Sequence, residues 1–180
     1  MTSLRGKILI SSGALYDPNF RHTVVLVGEH TVDGALGVIL NRPLKVTVDQ
    51  AVPALGAFAG GGAVLYQGGP VQPESPVMLA EFEDVSGADL HVFGSVGFLV
   101  GDVSDPIEGR VRRARVYAGY SGWASGQLEE EIAEDSWIVD AARTDDVFTE
   151  TPELLWSHAL RRMGPAYERL SRMPFDPSMN

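Results

Sequence analysis

The chain has 180 residues, a formal net charge of −10, no cysteine, 44% hydrophobic residues and 21% charged residues. That length and composition suit one globular domain with a single core, and they exclude disulfides, thiolate metal sites, iron–sulfur clusters and cysteine nucleophiles. The acidic balance disfavours nonspecific affinity for nucleic acid, no apolar run reaches the ~20 residues that cross a bilayer, and Met1 to Leu9 lacks a secretory apolar stretch, so a cytoplasmic protein is expected.

Lys7-Ile8-Leu9-Ile10 reads as a first strand and Thr23-Val24-Val25-Leu26-Val27 as a second, whose unbroken apolar run suits burial on both faces. Between them, Asp17-Pro18-Asn19-Phe20 has turn chemistry: Pro18 fixes φ, and Asp17 and Asn19 can bond local backbone. Ala35 to Leu40 reads as a third strand, joined to the second through Asp33-Gly34 in an antiparallel hairpin. Thr47 and Gln50 have the spacing of a capping box, so a short helix follows, limited by Pro53. Ala57 to Gly62 reads as a mobile Gly-rich loop, and Ala63 to Tyr66 as a strand closed by Gly68-Gly69-Pro70. Val77 to Ala80 and Leu90 to Val100 read as extended, with Gly94 and Gly97 marking a bulge, bend or interruption.

Asp105 to Glu108 reads as a short helical start stopped by Gly109. Arg113, Arg115 and Tyr117 alternate with Ala114, Val116 and Ala118, as in a strand with one apolar face. The stretch Gly119-Tyr120-Ser121-Gly122-Trp123-Ala124-Ser125-Gly126-Gln127 reads as a tight turn leading into a helix with Leu128 and Ile132 four apart. Trp137 to Val139 reads as a further strand. A last helix is capped by Thr151 with Pro152 at its first position, repeats Leu155, Ala159 and Met163 on one face, and stops at Gly164-Pro165. The tail beyond Met173 is expected to be loosely ordered. These elements make one α+β domain with a mixed sheet.

Several stretches, spread in order over most of the chain, resemble the bacterial YqgE/AlgH family: Gly6 to Ile10, Asp17 to Phe20, Gly34 to Pro43, Gly68 to Val71, and Gly119 through Trp137. The resemblance implies an α+β fold whose mostly antiparallel, bifurcated sheet curls into a pseudo-barrel with flanking helices. It also implies a cytosolic bacterial protein. It supplies no reaction; some members carry the label of transcriptional regulator, linked to exopolysaccharide production, yet the family pattern has no DNA-reading element. The chain departs from the pattern by compressing the helical region near Pro106 to Gly109.

The residues themselves argue mostly for structure. Backbone N–H groups of the Gly119 to Gln127 turn could hold an anion, but Glu129, Glu130 and Glu131 complement the helix dipole and repel phosphate. Ser121 invites a nucleophile elbow, yet Trp123 occupies the position that needs a second glycine. No histidine forms a metal-binding pair motif; Glu29-His30 with Asp17 or His22 is the one weak metal set, and neither a metal nor a cofactor is expected. Neither Gly60-Gly61-Gly62 nor Gly68-Gly69-Pro70 is followed by the Lys-Ser/Thr of a phosphate loop. Arg110, Arg112, Arg113 and Arg115 form the basic cluster, which alternation splits between faces into a solvated strand edge, so direct DNA binding is not expected. Arg42, at the end of an apolar strand, is either a bidentate clamp for a carboxylate or phosphate or one half of an ion pair.

These readings predict a cleft framed by Asn41, Arg42, Gly68, Gly69, Gly119, Tyr120, Ser121, Gly122, Trp123 and Gln127, which holds a small molecule or a protein partner without catalysis. The alternative is an enzyme acting on a small anionic substrate through Ser121, His30 or Arg42.

Overall fold

The computed structural model describes residues 1–13, 15, 17–100 and 110–175. The ten strands of its one sheet are β1 (Lys7–Ser11), β2 (Val24–Thr31), β3 (Gly34–Ile39), β4 (Pro43–Thr47), β5 (Val64–Gln67), β6 (Val71–Phe82), β7 (Leu90–Phe93), β8 (Val96–Leu99), β9 (Val111–Ala124) and β10 (Trp137–Ala141). The main path runs β10-β1-β2-β3-β9-β6-β8-β7, and β4 and β5 form a branch that joins β9. Neighbours pair antiparallel, except that β5 runs parallel to β9.

The fork lies within β9. One edge of this strand carries β6 from Val111 to Tyr120. The other edge meets β5 at Tyr117 and Ala118, then β3 from Ser121 to Ala124. Gly119, at φ +71°, bends the strand between the two partners, and the β6 register slips at the same place. The sheet curls without closing: Gly28 of β2 lies against the Phe98 ring of β8, and Gly6 against the Val92 backbone of β7. The fold is α+β, with a bifurcated sheet.

Local chemistry accounts for several elements. Thr47 Oγ1 accepts the Gln50 N–H at 3.2 Å and Gln50 Oε1 accepts the Thr47 N–H at 3.1 Å, capping α1 (Val48–Ala51) in both directions. Phe20 N–H donates to Asp17 O, and Asn19 N–H to Asp17 Oδ1, closing the first turn. The two-residue loop Val32-Asp33 joins β2 to β3. β2 has its expected double burial: Val24 and Leu26 enter the interior of the curl, while Val25 and Val27 face an outer cluster with Leu9, Trp123 and Trp137. Each such fully buried aliphatic contributes about 1.5–3 kcal/mol relative to exposure.

Four sequence expectations are sharpened or changed. Ala57 to Ala59 belongs to α2 (Gly56–Ala59), so only Gly60 to Gly62 is left as turn. Leu90 to Val100 is extended, as expected, and its interruption at Gly94, φ +48°, makes it a hairpin of β7 and β8. The last helix begins as a 3-10 turn (Pro152–Leu154) before α5 (Leu155–Arg162), and a short helix α6 (Pro165–Glu168) follows Gly164. Most importantly, Gly119 to Ala124 is not a turn. It continues β9, and the chain reverses only at Ser125-Gly126 before α3 (Gln127–Ala133). β9 is accordingly a central strand, so Arg113 and Arg115 do not lie on a sheet edge. The short helix α4 (Thr144–Val147) had no sequence expectation. The expected helical start at Asp105 to Glu108 lies outside the described residues.

Candidate functional site

Gly68, Gly69, Gly119 and Ser121 do come together, in backbone-to-backbone packing. A Cβ on Gly68 would overlap the Gly119 carbonyl oxygen, and one on Gly69 would overlap the Tyr120 carbonyl and the Ser121 nitrogen. Gly68 N–H donates to Ala118 O, Ile39 N–H donates to Gly68 O, and the Ser121 hydroxyl donates to the same carbonyl at 3.1 Å. Ser121 is fully buried in mid-strand, with no exposed turn to present its oxygen. The glycines at this corner serve close approach of two chain segments.

The far end of the segment is also filled by the protein. Trp123 and Trp137 both donate their indole N–H to Glu131 Oε2, at 2.9 and 2.8 Å, and Phe20 packs against both rings. Gln127 accepts the Ala124 N–H and donates to Glu131 Oε1. Glu129 accepts from His30 Nε2 at 2.7 Å, while His30 Nδ1 accepts the Leu4 N–H, so both ring nitrogens are engaged. The Glu129 carboxyl is held below the usual range by its own backbone N–H and then by His30. His30, one of the residues weighed for a metal, is thus engaged elsewhere, and among the described residues no group of three or more His, Asp or Glu side chains converges on a metal position.

Asn41 and Arg42 lead to a different place. Asn41 accepts the Val24 N–H at 2.9 Å and donates to His22 O at 2.8 Å. Arg42 Nη2 donates to Arg21 O at 2.8 Å, so the guanidinium is anchored over the loop between β1 and β2. The loop places His22 at φ +51°, a left-handed conformation uncommon for residues other than glycine, and lays its ring flat on Trp156 of α5, 3.7 Å between centroids. Trp156 is fixed in turn by its N–H bond to Ser11 O at 2.9 Å. Phe175 meets the His22 ring edge-on at 5.5 Å, and its ring lies about 6 Å from the guanidinium carbons of Arg21 and Arg42.

These side chains surround a cavity of about 450 Å³, between His22, Arg42, Glu153, Trp156 and Phe175. A neighbouring cavity of about 240 Å³ shares His22, Trp156 and Phe175 with it and adds Arg21. Burial first, then the charges of Arg21 and Arg42, push the His22 pKa down, which favours a neutral imidazole. Among the described residues neither Arg21 nor Arg42 has a carboxylate within 4.0 Å, although Arg162 pairs with Asp140 and Asp146, and Arg113 with Glu81. A third cavity, at the mouth of the curled sheet, is smaller at about 100 Å³ and lined by Leu36, Val77, Leu90 and Phe98. Apolar walls without convergent polar groups give a ligand no orientation, so the arginine-lined cleft is the better site.

Residues 8–168 match the family model described as AlgH-like. The chain belongs to the AlgH-like family. It is 38% identical to a UPF0301 protein of Streptomyces avermitilis, across 100% of this chain and 97% of that one. A UPF0301 protein of Mycobacteroides abscessus is 37% identical, across 97% and 87%. The solution structure of the AlgH protein from Pseudomonas aeruginosa superposes with a TM-score of 0.73 at 27% identity, covering 96% of this chain and 95% of that one. A crystal structure from Corynebacterium diphtheriae reaches 0.86, covering 96% and 94%; at 24% identity it speaks for the fold alone.

In this AlgH-like chain the ten expected cleft residues therefore divide. Gly68, Gly69, Gly119 and Ser121 build the corner inside the sheet, Tyr120 lines the apolar cavity at the sheet mouth, Gly122 pairs with Leu36, and Trp123 and Gln127 bind Glu131. Asn41 and Arg42 border the polar cleft instead. Of its other walls, His22 was weighed from sequence only as a metal ligand, and Trp156 and Phe175, like Arg21 of the adjoining cavity, were not singled out. The weak signals were present: the Asp17 to Phe20 turn runs straight into Arg21-His22, and Trp156 departs from the Leu155, Ala159, Met163 stripe of the last helix.

Proposed function

We propose that this AlgH-like protein is a cytoplasmic, non-enzymatic binding protein that holds a small anionic molecule in the Arg42–His22–Trp156 cleft and serves regulation through that ligand. The observation that carries the reading is two arginines, Arg42 at this cleft and Arg21 at the adjoining cavity, neither with a carboxylate within 4.0 Å among the described residues of a chain with net charge −10. A half-buried guanidinium presents a planar fork that suits carboxylate or phosphate. Trp156 and Phe175 supply flat apolar walls beside it. The nearby hydroxyls are spent on backbone, Ser157 on Leu154 O and Ser171 on Glu168 O, which argues against a nucleophile.

The test is native mass spectrometry after incubation with cell extract, followed by titration calorimetry with the retained compound. Arg42→Ala should abolish retention and Ser121→Ala should leave it unchanged. Equal retention by both variants would sink the reading. One observation keeps a second reading in play: the neutral imidazole of His22 inside the cleft is able to take a proton from a small anionic substrate. A turnover that needs His22 would establish it. A regulatory role is expected to run through ligand or protein contacts, because the acidic field repels the DNA backbone. Mobility shift with random duplex at low salt should show no complex below ~10 µM, and a tight, sequence-dependent shift would overturn this part.

A further inference from the structure

A second cation stands apart from that cleft. Arg115 projects from β9, its guanidinium carbon 5.0 Å from the centre of the Tyr66 ring, and Nη2 donates to Thr149 O at 2.5 Å. Nη1 is buried, and no acceptor among the described residues reaches it. Among the described residues no carboxylate lies within 4.0 Å of the group either, in contrast to Arg162 and Arg113. One carbonyl occupies one of five guanidinium donors, and the Tyr66 face lies against the cation. A buried donor without an acceptor is destabilising, so these two partners leave the guanidinium with unmet hydrogen-bonding capacity.

Beside Arg115 opens a cavity of about 190 Å³, walled by Tyr66, Val64 and the methyl groups of Ala59, Ala63 and Ala114. That volume has room for a single charged head group and is below the ~300–1,000 Å³ of pockets for drug-sized ligands. Burial raises the pKa of Tyr66 despite the pull of Arg115, so its phenol keeps its proton at neutral pH and remains a donor on the same wall. Glu153 is the carboxylate within electrostatic reach of Tyr66, and it lines the larger cleft.

We infer that the Arg115–Tyr66 cradle is a separate site for a small oxyanion, of the size of a carboxylate, bicarbonate or phosphate. It shares no lining residue with the Arg42 cleft and does not rest on the function proposed for it.

The test uses inorganic phosphate and the full chain carrying Arg42→Ala, so that the first site is silent. Thermal unfolding is followed against phosphate at constant ionic strength. Stabilisation should saturate, with phosphate at ten times its Kd moving the folding equilibrium about eleven-fold. Adding Arg115→Met should abolish that response. An unchanged response in the double variant, or one that never saturates, overturns the inference. If Arg115→Met does not fold, amide NMR of the Arg42→Ala protein replaces it. Phosphate-dependent shifts at Val64, Tyr66 and Ala114 support the site, and shifts absent from these residues overturn it.

Discussion

The corner built by Gly68, Gly69 and Gly119 to Gln127 and the cleft around Arg42 and His22 are opposites in design. At the corner the polar side chains bond within the protein: Ser121 bonds Gly68 O, both indoles bond Glu131, and Gln127 closes onto Ala124 and Glu131. In the cleft, two guanidiniums face open volume, a histidine sits in a strained backbone conformation, and aromatic faces line the wall. Dense, satisfied packing is what stability requires, and uncompensated charge beside a cavity is what a ligand requires. The density of glycine and tryptophan in a sequence marks the first kind of place, whereas the second is marked by what its charged groups lack.

Substitutions at the two regions should therefore separate stability from binding. Trp123→Ala is expected to have the largest effect, about 3–5 kcal/mol in chemical unfolding, with the ligand affinity of the residual folded protein unchanged. Glu131→Ala strands two indole N–H groups and should cost about 2–4 kcal/mol, again without a change in affinity. If either variant weakens the ligand at saturating stability, the division of labour fails. Arg42→Ala should invert the pattern: stability falls by about 1 kcal/mol, from the lost carbonyl bond, while ligand affinity falls ten-fold or more by calorimetry.

Tyr117→Phe sharpens the same contrast from inside the core. Its hydroxyl is fully buried and has no partner among the described residues, so removing it should be neutral or stabilising by up to about 1 kcal/mol. A loss of more than that would show that the hydroxyl is bonded. The smallest effect concerns pH. The folded state holds the His22 pKa below its ordinary value of 6.5, so below that pH the unfolded chain binds more protons. The His22 contribution is complete above about 6.5, and stability is lost as pH falls from there through the folded pKa. His22→Asn, which tolerates the left-handed backbone, should flatten that part of the stability–pH profile. An unaltered profile would mean that the ring is not desolvated.

Elements with adjacent determinants were legible. The capping box of Thr47 and Gln50, the Asp17 to Phe20 turn, the Asp33-Gly34 hairpin and the doubly buried run of β2 each depend on residues a few positions apart, and the structure contains them all. The Gly119 segment was legible as special and misread as a turn. Three glycines in eight residues look like one local reversal, yet only Gly126 lies at the reversal, and Gly119 serves close contact with Gly69, Val71 and Pro73 some fifty residues away. A sequence shows that a side chain is missing; it does not show which distant backbone fills the space.

Sequence alone determined the family, the α+β class, the acidic character and most strands, because hydrophobic period and turn chemistry act over short range. Tertiary structure alone decided where β9 forks the sheet and where uncompensated charge collects. Arg21, His22, Arg42, Trp156 and Phe175 are strewn over most of the chain, and whether an arginine finds a carboxylate depends on which segments the folded sheet brings within 4 Å of it. That is a property of packing, to which the local pattern of residues is blind.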